Sequence, residues 1–472
     1  MGPRPPDRGA GVRMSDRRKR AKREPANDRP NVNPRRVAFD AIRAVTADNA
    51  YANLVLPRML AETDNTGRDA GLATELTYGT LRSLGTLEAI LTAASGRDMR
   101  ELQQDLVDAL CLGAYQLLYM RIPPHAAVAT TVSLVKAAVS PRVSGLANAV
   151  LRKVAAKDLD EWAESLATGD RLADLSLRYA HPQWISTEFE AVLGPDELPA
   201  ALAADNVAPP VHLCAKPGRI TKGDLSRETR GGVHGQWSPY AVYLPSGDPG
   251  RVKSVATGLA HVQDEGSQLV AAALAEAPLE GPDRSWVDLC AGPGGKTALL
   301  GAIAAQRDAV IDAVEIQQHR AELVAKAAKG LPVTVHIGDG REFGEDGSAD
   351  RVLVDAPCSG LGALRRRPEA RWRKERGDVD GLVPLQRELL AAGLRLARTG
   401  GIVAYATCSP VIAETEEVVA AVLKAGGAEL VRPQWLTGRV PDAERGDFAQ
   451  LWPHRHGADA MFLALLRKTG NR

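Results

Sequence analysis

The sequence predicts an α/β domain built on a mostly parallel sheet, preceded by an all-α domain and a small α+β subdomain. From residue 264 onward, short apolar runs alternate with helical runs, as in AVIDAVE followed by QQHRAELVAKAAKG. Such regular alternation is typical of βαβ units, whose strands form a parallel sheet. Earlier in the chain, apolar residues recur at helical spacing. In GLANAVLRKV, for example, Leu146, Val150 and Val154 share one helix face.

These patterns divide the 472 residues into four segments. We expect a disordered basic tail over residues 1–34, the helical domain over 35–160, a linker with the small α+β subdomain over 161–263, and the α/β domain over 264–472. No apolar run reaches the length of a membrane span, and the first residues lack the apolar core of a signal peptide. We therefore expect a cytoplasmic protein that does not bind membranes.

Basic residues are concentrated at the N-terminus. Residues 1–36 contain twelve Lys or Arg and four Asp or Glu, whereas the whole chain has a net charge of only +1. The stretch DRRKRAKREPANDRP shows no hydrophobic periodicity, which is typical of disordered segments. Two functions remain open for this tail: a solubilising extension, or an arm that contacts RNA phosphates.

The five cysteines lie far apart and form no CxxC pair, which argues against a zinc site. Their odd number argues against a disulfide framework. We therefore weigh each thiol separately and expect no bound metal. The cysteines are Cys111, Cys214, Cys290, Cys358 and Cys408.

A glycine-rich turn follows the first strand of the α/β domain, in SWVDLCAGPGGKTALL at residues 285–300. A phosphate-binding P-loop would need glycine at position 290, which is Cys290. A dinucleotide-binding turn would need glycine at position 297, which is Thr297. What remains is an acidic strand end, Asp288, followed by a tight turn that brings backbone close to a ligand without phosphate. This pattern favours S-adenosylmethionine.

Acidic residues also end the following strands. Glu315 stands where a carboxylate can accept hydrogen bonds from both ribose hydroxyls of an adenosyl group, and Asp339 where it can accept one from the adenine amino group. A single acid at such a position is more often a helix N-cap. Three acids in consecutive units, together with the glycine-rich turn, predict a cofactor site at the carboxyl edge of the sheet.

Two cysteines follow the next two strands, in DAPCSGLG and YATCSP. A single cysteine in an α/β domain is usually a small buried apolar residue. Here Cys358 and Cys408 both follow strands at the ligand-binding edge, and Asp355 stands three residues before Cys358. This combination predicts nucleophilic chemistry by a thiol.

The motifs DLCAGPGGKT, DAPCSGLG and ATCSP resemble those of the Sun family of RNA cytosine-5 methyltransferases. In the helical part, TYGTLRSLGTLEAIL, GAYQLLYMRIPPHAAV and GLANAVLRKV resemble the NusB-like domain of the family's bacterial ribosomal member. The resemblance covers residues 35–466. It implies a class I methyltransferase domain of Rossmann-like fold, with S-adenosylmethionine as cofactor. It also implies an RNA substrate, and among RNAs it favours 16S rRNA. We expect the protein to act as a monomer.

The resemblance also implies roles for individual residues. Cys408 would attack C6 of the cytosine, because C5 alone is too weak a nucleophile to accept a methyl group. Asp355 would bind the base at N3 and its amino group. Cys358 would assist loss of the C5 proton and release of the product. The cofactor-binding residues would be Cys290, Ala291, Gly292, Pro293, Gly294, Gly295, Lys296, Glu315, Asp339 and Asp355.

The sequence departs from the family pattern at two places. Position 292 is glycine where the family commonly has alanine, and we expect Gly292 to loosen the turn without abolishing cofactor binding. The run HLCAKPGRI, residues 212–220, replaces a Leu-Arg-Val-Asn-like run. This second departure puts the RNA contacts of the small subdomain in doubt.

A basic run, LRRRPEARWRKER at residues 364–376, follows the first cysteine motif. Its arginines could pair with RNA phosphates, and Trp372 could stack on a base. The alternative is a solvated basic helix with one packed tryptophan.

Three alternatives to the overall interpretation remain open. DNA cytosine methyltransferases attack with the thiol of a Pro-Cys motif, which would make Cys358 the nucleophile. The RNA substrate could be tRNA. The chain could also be a NusB-like RNA-binding factor with an inactive methyltransferase fold, although the paired cysteines and the acidic strand ends argue against this.

Overall fold

The computed structural model describes residue 2 and residues 32–470. The predicted basic tail, residues 1–34, falls almost wholly outside the described residues, so both hypotheses for it stay predictions. Within residues 32–470, no helix is both long enough and apolar enough to cross a bilayer. The α-helices are α1 Pro34–Asp48, α2 Ala52–Glu62, α3 Gly67–Ser95, α4 Gln104–Leu118, α5 Pro124–Ala138, α6 Ser144–Val154, α7 Leu159–Ser165, α8 Arg171–Arg178, α9 Gln183–Leu193, α10 Leu198–Ala204, α11 Lys222–Glu228, α12 Lys253–Ala256, α13 Glu265–Glu276, α14 Gly295–Ala304, α15 Gln318–Ala327, α16 Ala370–Arg373, α17 Arg376–Leu396, α18 Glu416–Lys424, α19 Gln434–Thr437 and α20 Pro453–His456.

The strands of the described chain form two sheets. They are β1 Val211–Ala215, β2 Val233–His234, β3 Ala241–Leu244, β4 Ala260–Val262, β5 Ser285–Asp288, β6 Val310–Glu315, β7 Val333–Ile337, β8 Ala349–Asp355, β9 Ala397–Thr407, β10 Ala428–Val431, β11 Glu444–Arg445, β12 Phe448–Gln450 and β13 Phe462–Lys468. Short 3₁₀ turns cover Met99–Glu101, Pro141–Val143, Pro249–Arg251, Leu361–Ala363 and Ile412–Glu414.

Helices α1 to α6 form the helical domain around α4, in which residues 106–116 are all buried. Helix α1 shows how the sequence sets the bounds of these helices. The Asn33 side chain accepts a hydrogen bond from the Arg35 backbone N–H at 2.9 Å, and Pro34 suits the first turn because its missing N–H would have no partner there. At the other end, Asn49 takes the left-handed conformation that terminates the helix.

The larger sheet has the strand order β11-β12-β13-β9-β8-β5-β6-β7, with β10 paired to β13. The strands β7, β6, β5, β8 and β9 run parallel, which confirms the predicted α/β domain with a mostly parallel sheet. Strand β8 is buried almost throughout, as expected for a strand covered by helices on both faces. The sequence pattern did not predict β10 to β13, which extend the sheet by antiparallel pairing beyond β9.

The small sheet is antiparallel, with the strand order β2-β3-β1-β4. The run that departs from the family pattern forms β1 and the turn after it, and its polar side chains contact the protein itself. His212 is buried, with Nδ1 3.2 Å from the Asp264 carboxylate, and Lys216 Nζ donates to the Ala327 carbonyl at 2.6 Å. These side chains are therefore occupied within the fold, and RNA contacts by this run stay in doubt.

Helices α8 to α10, which the sequence pattern left within the linker region, pack on the α/β domain. Phe189 on α9 lies edge to face against Trp452, with ring centroids 5.4 Å apart, and both rings are fully buried. Leu198 and Leu202 on α10 join the same apolar cluster as Leu361. Helices α9 and α10 are therefore packed parts of the α/β domain.

The basic run after the first cysteine motif joins the two domains. Arg371 is fully buried and donates to the carbonyl oxygens of Ala180 and Asp205 at 2.8 and 3.2 Å. Trp372 donates its indole N–H to the Leu81 carbonyl in α3 at 2.9 Å. The ring of Trp372 also packs on α3 beside Gly85, which favours the alternative of a packed tryptophan, and stacking on an RNA base stays a prediction. Arg371 likewise has its guanidinium enclosed by protein and is not free to bind phosphate.

We expect Trp372→Ala to destabilise the contact between the helical and α/β domains by about 3 kcal/mol, since it removes both a large packed ring and a hydrogen bond to a carbonyl. Thermal unfolding measures this loss. Lys374→Ala, two residues along the same run, is the matched control and should leave the unfolding temperature nearly unchanged. Loss of RNA affinity in Trp372→Ala without any change in stability would instead support base stacking.

Candidate active site

The residues predicted at the strand ends lie along one edge of the parallel sheet. Strand β5 ends at Asp288, β6 at Glu315 and β8 at Asp355. Asp339 follows β7 by two residues, and Cys408 follows β9 directly. Because all five strands are parallel, their carboxyl ends meet at this edge, where ligands of such sheets bind.

The glycine-rich turn is held between two neighbouring strands. Its Leu289 N–H donates to the Leu353 carbonyl on β8 at 2.9 Å, and its Ala291 N–H donates to the Val314 carbonyl on β6 at 3.0 Å. Gly294 ends the turn with φ +106°, and a Cβ there would lie 2.8 Å from the Cα of Val324 on α15. Only glycine therefore lets α14 begin so close to α15.

Gly292 is hydrogen-bonded by two charged side chains, and the loosening of the turn that we expect from it stays a prediction. Its N–H donates to Glu315 Oε2 at 3.1 Å, and its carbonyl accepts from Arg320 Nη2 at 2.6 Å. A Cβ at position 292 would lie 2.2 Å from the Glu315 carboxylate. In this arrangement, the glycine makes room for the buried carboxylate that the sequence predicts as the ribose ligand.

Asp288 is a buried carboxyl at the base of the turn. Thr297 Oγ1 donates to its Oδ2 at 2.7 Å, and its Oδ1 has no well-formed hydrogen bond among the described residues. Burial raises the pKa of Asp288 to about 7, because the charged form is poorly solvated there. Through Thr297, Asp288 therefore links the end of β5 to the first turn of α14.

Asp339 is held by its own loop. It accepts from the Arg341 backbone N–H at 2.9 Å and from Arg341 Nη2 at 2.5 Å, and these hydrogen bonds lower the pKa of its carboxyl. Arg341 also binds Glu388 at 2.5 Å. The carboxylate is therefore kept ionised, and its contact with adenine stays a prediction.

Lys296 and Asp355 form an ion pair at the end of β8, with Nζ 2.8 Å from Oδ2. Burial alone would lower the pKa of Lys296, but the Asp355 carboxylate raises it, so the lysine stays charged. This ion pair therefore links helix α14, which follows the glycine-rich turn, to strand β8, which precedes Cys358. Both residues were predicted at this site.

The two predicted cysteines lie side by side, with Cys358 Sγ 3.5 Å from Cys408 Sγ. The pKa of Cys408 is lowered, chiefly because the Cys358 thiol donates a hydrogen bond that stabilises the Cys408 thiolate. The same hydrogen bond, followed by burial, raises the pKa of Cys358 well above its usual value. Both side chains are partly exposed. This arrangement therefore favours ionisation of Cys408 over ionisation of Cys358.

The third cysteine of this edge, Cys290, behaves differently. It lies within the glycine-rich turn, and burial raises its pKa well above the usual value, so it stays a neutral thiol. Sequence reasoning missed two further features. The apolar side chains of Ile316 and Ile337 are 63% and 61% exposed beside the acidic strand ends, and the carboxyl of Glu414 is fully buried beneath the cysteine loops. Glu414 lies in no local sequence motif that would have predicted its burial beside Cys358 and Cys408.

The parallel sheet, the glycine-rich turn and the acidic strand ends together define a class I methyltransferase domain. Residues 275–467 match the family described as 16S rRNA methyltransferase RsmB/F, and residues 32–156 match the NusB family. The chain belongs to the RsmB/F family of 16S rRNA methyltransferases, which confirms both the family resemblance and the predicted NusB-like domain. The family uses S-adenosylmethionine, so the predicted cofactor is also confirmed.

Individual relatives are similar over most of their length. A Mycobacterium tuberculosis protein, named as a methyltransferase, is 51% identical to this chain. The match covers 93% of this chain and 97% of that protein. Ribosomal RNA small subunit methyltransferase B of an Enterobacter species is 32% identical, over 88% of this chain and 97% of the relative. The similarity to these two proteins therefore extends over most of this chain.

Solved structures show the same fold. The crystal structure of the protein PH0851 covers 93% of this chain and 100% of its own, with a TM-score of 0.78 at 22% identity. A methyltransferase homolog protein from Pyrococcus horikoshii covers 64% of this chain and 100% of its own, with a TM-score of 0.53 at 23% identity.

Proposed function

We propose that this protein transfers a methyl group from S-adenosylmethionine to C5 of a cytosine in 16S rRNA, through a transient bond between Cys408 and C6 of the base. The observation that carries the proposal is the pair of sulfurs 3.5 Å apart, at the edge where the cofactor-binding residues also lie. Family membership supports the RNA substrate. The choice of cytosine and of C5 rests on the chemistry that the thiol pair can perform.

The cofactor-binding residues fit an adenosyl group. The Glu315 carboxylate would accept from the ribose hydroxyls, and Asp339 from the adenine amino group. The exposed faces of Ile316 and Ile337 would lose contact with water against the flat adenine ring, which favours binding. S-adenosylmethionine, when bound, supplies a methyl group on a positively charged sulfur.

The Cys408 thiolate would begin the reaction by adding to C6. The new C–S bond moves the electron pair of the C5–C6 double bond to C5, so that C5 becomes nucleophilic. As this charge develops, the Asp355 carboxylate would accept a hydrogen bond from the exocyclic amino group, and from N3 once N3 has taken up a proton from water, while Lys296 would hold the carboxylate in place. After methylation, the C5 proton passes to a water molecule at the open edge of the sheet, its electron pair re-forms the C5–C6 double bond, and the C–S bond breaks to release Cys408 as the thiolate.

Cys358 would act before and after this step. Its thiol first stabilises the Cys408 thiolate by hydrogen bonding. Once Cys408 is bonded to carbon, Cys358 stands beside the adduct, where it would assist loss of the C5 proton and departure of Cys408. The lowered pKa of Cys408 favours it as the nucleophile, and the alternative with Cys358 as nucleophile is tested by the variants described below.

Bisulfite mapping of RNA from cells that lack the protein tests the proposed function. We expect the loss of a 5-methylcytosine from 16S rRNA, restored by the wild-type chain and not by Cys408→Ser. Loss from tRNA alone would support the tRNA alternative. Unchanged methylation of both RNAs, with no S-adenosylmethionine binding by the purified protein, would support an RNA-binding factor with an inactive domain.

We expect Glu315→Ala to weaken S-adenosylmethionine binding by about tenfold or more, since a hydrogen bond to a charged group contributes about 1.5–3 kcal/mol. Asp339→Ala should weaken it as well, and neither change should alter RNA affinity, because both acids face the cofactor. Calorimetric titration measures the effect. Glu322→Ala, an exposed acid on α15, is the control. Unchanged titrations for both site variants would contradict the assignment.

A further inference from the structure

The buried carboxylate of Glu414 links the loop that carries Cys358 to the loop that carries Cys408. Glu414 is fully buried, and its Oε1 accepts from the Ser359 backbone N–H at 2.7 Å while its Oε2 accepts from Ser359 Oγ at 2.5 Å. Ser359 Oγ also lies 3.1 Å from Ser409 Oγ. Because Ser359 adjoins Cys358 and Ser409 adjoins Cys408, these contacts reach the neighbours of both thiols.

Two further elements hold Glu414 in place. Gln386 on α17 donates its Nε2 to Glu414 Oε1 at 3.0 Å and to the Pro357 carbonyl at 2.9 Å. Tyr405 on β9 donates its hydroxyl to the Glu414 carbonyl at 2.7 Å. Glu414 is thus anchored through its carboxylate by a helix and through its backbone carbonyl by a strand, and both carboxylate oxygens accept from Ser359, next to Cys358.

We propose that Glu414 is a positioning residue that sets the separation of the Cys358 and Cys408 sulfurs, through Ser359 and Ser409. It touches neither the RNA nor the cofactor and acts through the two loops. The inference deepens the proposed function, because it rests on the cysteine chemistry described above. A buried carboxylate is costly unless it is fully hydrogen-bonded, and here two of its three hydrogen bonds come from Ser359, which in turn contacts Ser409.

The charge of Glu414 also favours the division of roles between the thiols. The pKa of Cys358 is raised first by its hydrogen bond with Cys408 and then by burial, and the negative charge of Glu414 raises it further. Cys358 is thereby kept as the proton donor of the pair. If the loops separate, the hydrogen bond between the sulfurs is lost, and Cys408 loses the main cause of its lowered pKa.

The rate at which iodoacetamide alkylates Cys408, followed against pH and assigned by peptide mass spectrometry, tests this inference without RNA. In the full-length protein, Glu414→Gln keeps the side-chain volume but removes the charge and one acceptor. We expect its alkylation curve to move to higher pH, so that the rate at neutral pH falls about tenfold, equivalent to about one pKa unit. Glu417→Gln, an exposed acid three residues along, should leave the curve unchanged.

Ser409→Ala provides a second variant that removes the contact between the serines while leaving Glu414 bound to Ser359. It should move the alkylation curve in the same direction by a smaller amount, even if Glu414→Gln fails to fold. Lower unfolding temperatures with unchanged alkylation curves in both variants would overturn the inference and leave Glu414 a structural residue. A shifted curve in an enzyme whose wild type forms no adduct with RNA would support the positioning role and contradict the proposed function.

Discussion

Cys408→Ser is expected to abolish methyl transfer to RNA, lowering the rate by about 10⁴-fold or more, as loss of a nucleophile does in other enzymes. Serine is close to cysteine in size and can keep the contact with Cys358, so the fold should be unaffected. Its hydroxyl stays protonated where the thiol of Cys408, with its lowered pKa, is partly ionised. The measurement is transfer of labelled methyl groups from S-adenosylmethionine to 16S rRNA.

The control for this variant is Cys111→Ala, which changes a thiol buried in the helical domain away from the site. It should retain methyl transfer. Cys408→Ser should also give no covalent complex with RNA on a denaturing gel. A complex that persists when Cys408 is replaced would make Cys358 the nucleophile, as in the DNA-type alternative.

The second large effect is expected from Cys358→Ala, which should trap the enzyme on its RNA. Attack by Cys408 and methyl transfer remain possible, but loss of the C5 proton and departure of Cys408 become slow. The enzyme should therefore accumulate as a band of reduced mobility on a denaturing gel. The double variant, lacking Cys408 as well, should lose that band.

The same variant also gives a pH-dependent result. The hydrogen bond from Cys358 lowers the pKa of Cys408, so its removal should raise that pKa. Formation of the trapped complex should then rise with pH over a higher range than adduct formation in the wild type. Normal turnover by Cys358→Ala, with no accumulated complex, would show that Cys358 has no part in product release.

The carboxyl edge of the sheet could be predicted from the sequence because its signals are local. Each strand is a short apolar run. Because the strands are parallel, the residue at the carboxyl end of each one lies at the shared edge, independently of the other elements of the fold. Asp288, Glu315, Asp355 and Cys408 were placed in this way. The closeness of Cys358 and Cys408, 50 residues apart in the chain, followed from the parallel order of β8 and β9.

The sequence could not decide between the two interpretations of the basic run, because the partners of its side chains are distant in the chain. Arg371 binds the carbonyl of Ala180, 191 residues away, and Trp372 binds that of Leu81, 291 residues away. The sequence does not distinguish an arginine whose guanidinium is bound by carbonyl groups from one whose guanidinium is solvated. Glu414 was missed for a similar reason, since its partner Ser359 lies 55 residues away.

RNA carrying 5-fluorocytosine at the target position gives the most direct test of the proposed nucleophile. Fluorine at C5 cannot leave as a proton does, so the bond between the thiol and C6 persists after methylation and the peptide that carries the base can be identified by mass spectrometry. We predict that the modified peptide contains Cys408, in ATCSP. A modified peptide containing Cys358, in DAPCSGLG, would contradict the assignment of Cys408 as nucleophile.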